Sequence, residues 1–103
     1  MNRMERLKQM LQDDPNDQFL NYGLALELEK AEQFDEALSI FKKLVAAEPA
    51  YVPAFFMAGQ MLSKIDRSQE ARTFLTEGIT AATQQGNSHA AAEMTEFLNM
   101  IED

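Results

Sequence analysis

Cysteine is absent from this 103-residue chain, which excludes disulfides and cysteine-ligated zinc or iron–sulfur sites. The absence fits a reducing cytoplasm, which is the expected location. Histidine occurs once, as His89, and a lone imidazole with no thiol to activate makes a poor catalytic set. A surface or capping role suits it better. The four glycines, Gly23, Gly59, Gly78 and Gly86, are scattered and build no phosphate-binding loop. Basic residues are few: nine Lys and Arg stand against 17 Asp and Glu, a formal charge of −8. Such a chain repels phosphate backbones, so nucleic acid is not an expected partner. No apolar run approaches the roughly 20 residues that cross a bilayer, and membrane insertion is not expected. The start, Met1-Asn2-Arg3-Met4-Glu5-Arg6, is charged and has no apolar stretch behind it, so no secretory leader is expected. Strand-like alternation, linkers and low-complexity segments are missing too.

What is present is helical periodicity in a composition ordinary for a folded chain, 46% hydrophobic and 25% charged. The first apolar stripe, Met4, Leu7, Met10 and Leu11, predicts a helix over about 2–12. Asp13-Asp14-Pro15-Asn16-Asp17 ends it and caps the next, because Asn and Asp accept hydrogen bonds from free N-terminal amides. These carboxylates lack the spaced oxygens and central glycine of a calcium loop, so no metal site is expected there. Helices follow at about 17–30 (Leu20, Leu24, Ala25, Leu28) and 35–47 (Ala37, Leu38, Ile40, Phe41, Leu44, Val45). Pro49 closes the third, and Pro53 stands where a first-turn proline is tolerated in a fourth reaching Lys64. A fifth helix runs from Gln69 to about Gln84 and ends at Gly86. Asn87 or Ser88 caps a sixth through Ile101, with Ala91, Met94, Leu98 and Ile101 as its stripe.

The pattern also repeats. A shift of 34 residues carries Pro15 onto Pro49, Tyr22 onto Phe56, Ala25 onto Gly59 and Leu28 onto Leu62. It carries Lys30 onto Lys64, Glu36 onto Glu70 and Ala37 onto Ala71. A helix–turn–helix unit of that length cannot bury its apolar face alone, so such units stack on one another. In the first unit, Leu24-Ala25, Leu28, Ala37, Phe41 and Pro49 resemble the tetratricopeptide repeat at that motif's spacing. The second unit matches with Phe55, Ala58-Gly59, Leu62, Ala71 and Leu75. Two departures stand out: Asn21 replaces a large aromatic, so the first helix pair should close less tightly at its start, and Thr83 replaces the closing proline, so the fifth helix should run on. The resemblance implies an all-α fold, a right-handed α-α superhelix of stacked antiparallel hairpins with about six helices. It divides one domain into an N-terminal partial repeat at 1–13, full repeats at 16–49 and 50–83, and a capping helix at 87–103.

The resemblance also implies a function: a non-enzymatic module that binds a protein or peptide in a groove lined by the first helix of each repeat. Carried over by position, the groove receives Phe19, Tyr22, Gly23, Leu26 and Lys30, then Phe56, Met57, Gln60 and Lys64, with Pro53 near its edge. Independently, Tyr22 and Leu26 flank the stripe of Leu20, Leu24 and Leu28, leaving this helix apolar on more than one face. Phe56 and Met57 do the same beside Phe55, Ala58 and Leu62. A terminal helix folding across these residues is the competing use for them. Some relatives clamp a carboxylate with a Lys and Asn cluster, but the matching places here hold Tyr22, Leu26 and Met57, which leave a buried carboxylate unpaired. Lys30 and Lys64 favour instead an apolar ligand with an acidic flank. The Lys42-Lys43 pair reads as a solvated outer face. Neither cofactor nor metal is expected, and neither is catalysis. A self-associating homo-oligomer, or a small accessory subunit of a larger assembly, is the alternative; the charge favours a monomer or weak homodimer.

Overall fold

The computed structural model describes residues 1–101, and among them the chain forms six α-helices and no strand. They are α1 (Arg3–Asp13), α2 (Gln18–Lys30), α3 (Phe34–Val45), α4 (Val52–Lys64), α5 (Ser68–Gln84) and α6 (Ser88–Met100). Short polar side chains start three of them. Asn2 accepts from the Glu5 amide at 2.8 Å, Asp17 from Leu20 at 2.8 Å, and Asn87 from Ala90 at 3.1 Å. Pro53 sits in the first turn of α4, where its missing N–H costs nothing.

Three helices end in the same way. After α2, the Gln33 amide donates to the Leu28 carbonyl at 2.9 Å and Glu32 to Glu29 at 2.9 Å. After α4, Arg67 donates to Leu62 at 2.8 Å and Asp66 to Ser63 at 3.2 Å. After α5, Asn87 donates to Ala82 at 2.8 Å and Gly86 to Thr83 at 3.1 Å. Each is a Schellman closure, which turns the chain through one left-handed residue and starts the next helix antiparallel. Glycine takes that conformation without steric cost at Gly86 (φ 73°), but Glu32 (φ 60°) and Asp66 (φ 63°) adopt it against their Cβ atoms.

Backbone contacts divide the chain into two compact units, Met1–Pro49 and the residues from Ala50 onward. In the first, α2 packs against both α1 and α3. Leu7 of α1 is buried over Gly23, where a Cβ would meet its Cδ2 at 3.5 Å, and Arg3 lies 3.5 Å from Glu27 one turn further on. Opposite, Ala25 and Ala37 have no exposed surface, so the α2–α3 crossing accepts only small side chains. Leu24, Leu28, Leu38, Phe41 and Leu44 fill the space beside it. Burying Leu28 and Phe41 fully stabilises by about 1.5–3 kcal/mol each. The stripe expected on α1 is only partly used: Leu7 is buried, Met4 and Leu11 are half-buried, and Met10 stays exposed.

In the second unit α5 is central, packed on α4 and α6. Ala58, Met61, Leu62, Ala71, Leu75, Ala82 and Met94 are wholly buried. Gly59 makes room for Leu75, whose Cγ would lie 2.7 Å from a Cβ there. Gly78 sits between Phe55 of α4 and Met94 of α6, with both within 2.6 Å of where its Cβ would be. With threonine where the first repeat has Pro49, α5 runs to 17 residues against 12 for α3. Gln85 then donates to the Ala50 carbonyl at 2.9 Å, fastening the end of α5 beside the segment that leads into α4.

Candidate partner-binding faces

On α2, burial against α1 and α3 determines which side chains remain outside. Phe19 is 71% exposed, an unusual position for a phenylalanine in a folded chain. Tyr22 is half-buried, with its ring edge-on to Phe41 at 6.4 Å and 61°. Leu26 is half-buried as well. Gly23 is buried beneath Leu7 and presents no surface. The family resemblance places Gly23 in the groove, but here the contact with α1 covers it. Lys30 is exposed, but its Nζ lies 3.2 Å from Glu27 Oε2, an oxygen that Arg3 also approaches at 3.5 Å. Part of its charge is therefore answered within the unit.

On α4, Phe56 is half-buried and its ring meets Phe97 of α6 edge-on at 5.9 Å and 70°. Here the terminal helix does reach a residue expected in the groove. Phe97 did not stand out in the sequence because it lies beside the stripe of Ala91, Met94 and Leu98. Met57 and Gln60 are half-buried, and Lys64 and Pro53 are exposed.

A cleft of about 260 Å³ opens between the start of α2 and the end of α3, lined by Pro15, Asn16, Gln18, Asn21, Ile40, Lys43, Leu44 and Ala47. Asn21 turns its amide away, donating to the Pro15 carbonyl at 3.0 Å and to Asp17 at 2.9 Å. The replacement of a large aromatic by Asn21 predicts a looser closure at this end of the hairpin, and the cleft lies there.

Among the described residues no group of three or more His, Asp or Glu is placed to hold a metal ion. His89 is exposed, 3.4 Å from Glu93 one turn along α6, and Asp17 serves as a helix cap. No described helix is long and apolar enough to cross a membrane.

No protein-family model matches the chain, and neither does any curated protein. Solved structures do. The chain is similar to a tetratricopeptide repeat domain protein from Salinibacter ruber, with 30% identity and a TM-score of 0.79 over 86% of this chain and 90% of that one. It is also similar to a protein from Bordetella parapertussis, with 27% identity and a TM-score of 0.77 over 98% of this chain and 88% of that one. Two antiparallel hairpins with small residues at their crossings, in the same order as these structures, define an all-helical repeat protein. The chain belongs to the tetratricopeptide repeat family.

Proposed function

We propose that the chain is a non-enzymatic protein-interaction module that holds an extended or helical peptide by apolar anchors on the outward side of α2, and that α4 of the second unit offers apolar contacts of its own. The observation that carries this is Phe19, left 71% exposed on a first helix. On the same helix Tyr22 and Leu26 keep part of their surface, and in the second unit so do Phe56, Met57 and Gln60 of α4. Large apolar side chains held in water by a rigid helix mark interaction surfaces, and aromatic ones commonly dominate binding energy. Lys30 and Lys64, both exposed, favour an acidic flank on the ligand, although Glu27 already answers part of the Lys30 charge. The protein works in the cytoplasm, as a chain without cysteine can.

The test is capture of native partners by the wild type and by a Phe19→Ser/Leu26→Ser variant, identified by mass spectrometry after helicity is confirmed by circular dichroism. The reading requires that a specific partner be lost from the variant. Equal recovery of that partner assigns binding to another surface. Met10, 52% exposed on α1, favours self-association as the second reading. With a net charge of −8, a weak dimer tightened by salt is its expected signature in sedimentation.

A further inference from the structure

The two repeats solve one packing position differently. Shifted by 34 residues, Asn21 corresponds to Phe55 and Leu44 to Gly78. In the second unit Phe55 is buried, 4% exposed, with its Cβ packed directly over Gly78. In the first unit the ring is missing. Leu44, itself buried, lines the floor of the cleft, and the Asn21 amide is held back by the Pro15 and Asp17 carbonyls. Space of about 260 Å³ remains, walled on the apolar side by Ile40, Leu44, Ala47 and Pro15. A cavity of about 150 Å³ is already enough for benzene. The mouth is polar: Asn16 and Gln18 offer amides, and Lys43 has no ion-pair partner among the described residues. In a chain of net charge −8 that ammonium is a local exception, and it favours an anion beside the ring.

We propose that this cleft receives one aromatic side chain with a neighbouring carboxylate, supplied by a partner protein, in the place that Phe55 fills from within the chain in the second repeat. The cleft is lined by none of the residues Phe19, Tyr22 and Leu26 that α2 presents outward. The inference rests on the interaction-module reading only for the source of the ring, so small probes can test it without the native partner.

The full ¹⁵N-labelled chain is titrated with N-acetyl-phenylalanine, its amide and N-acetyl-alanine, following amide shifts. N-acetyl-phenylalanine should give saturable shifts at Asn21, Ile40, Leu44 and Ala47, with a Kd of about a millimolar, as befits a small ligand. The amide should bind about threefold more weakly, and Lys43→Met should abolish that difference. N-acetyl-alanine should leave the cleft unshifted. Asn21→Phe should weaken ring binding about tenfold by filling the site; should that variant not fold, Ala47→Leu narrows the cleft from α3 to the same effect. Shifts that do not saturate, that map to Phe19 and Leu26, or that persist unchanged in the filled variants overturn the proposal. Probe binding in a Phe19→Ser/Leu26→Ser chain that still captures its partner would retain the cleft and discard the helix faces, and the reverse pattern would do the opposite.

Discussion

Alanine in place of glycine should have opposite effects at two positions of this fold, and the packing gives the sign at each. In a helix interior the change gains about 0.8–1 kcal/mol of propensity, whatever surrounds it. At Gly23 the new methyl would meet Leu7 Cδ2 at 3.5 Å and the Arg3 guanidinium at 3.6 Å, which is ordinary contact, so the gain survives. At Gly78 it would lie 2.6 Å from Met94 Sδ and 2.6 Å from Phe55 Cβ. The methionine can swing aside, but Phe55 Cβ is one bond from the α4 backbone and moves only if the helices separate. Overpacking of that kind costs about 1–3 kcal/mol and exceeds the propensity gain over most of its range. Gly78→Ala should therefore lower stability by up to about 2 kcal/mol, and Gly23→Ala should raise it by up to about 1 kcal/mol. For a domain of this size each kilocalorie moves Tm by about 4–8 °C. Urea titration and thermal melting followed by far-UV circular dichroism read both variants. A Gly78→Ala protein as stable as wild type, or two shifts of the same sign, would refute the α4–α5–α6 packing described here.

Other variants test other parts of the account. Glu32→Gly and Asp66→Gly should each stabilise by up to about 1 kcal/mol, because both residues hold positive φ at a Schellman closure, whereas Gly86→Ala should destabilise by a similar amount; paired melts decide. Ala37→Leu and Ala71→Leu, at crossings with no exposed surface, should each cost about 1–3 kcal/mol, and a neutral result at both would contradict the crossings. Asp17→Ala removes the 2.8 Å cap on the Leu20 amide and should cost about 1 kcal/mol in the same melts.

The helices were legible because their apolar spacing and their terminators agree. Asp17 and Asn87 cap where short polar side chains permit, and Gly86 terminates α5 where a left-handed residue is needed. The other two left-handed closures were hidden, since Glu32 and Asp66 carry no compositional mark of that conformation. Contacts between helices were harder to read. The family resemblance puts Gly23 in the groove, but Leu7 of α1 covers it. Phe56 has two competing uses, the groove and burial by a terminal helix, and Phe97 from α6 meets its ring. Periodicity states which residues share a helix face. It does not state which neighbouring helix covers that face, and although Asn21 signals a looser closure, the size and lining of the cleft beside it come only from the fold.

The central claim is that the outward sides of α2 and α4 contact a partner protein. Photo-crosslinking in the native host tests it most directly, with p-benzoyl-phenylalanine placed singly at Phe19, at Gln60 and, as a control, at the exposed Thr73 on α5. The account predicts one discrete crosslinked partner, shared by Phe19 and Gln60 and absent from Thr73. The same partner at Thr73 alone, or no crosslink at Phe19 and Gln60, would contradict it.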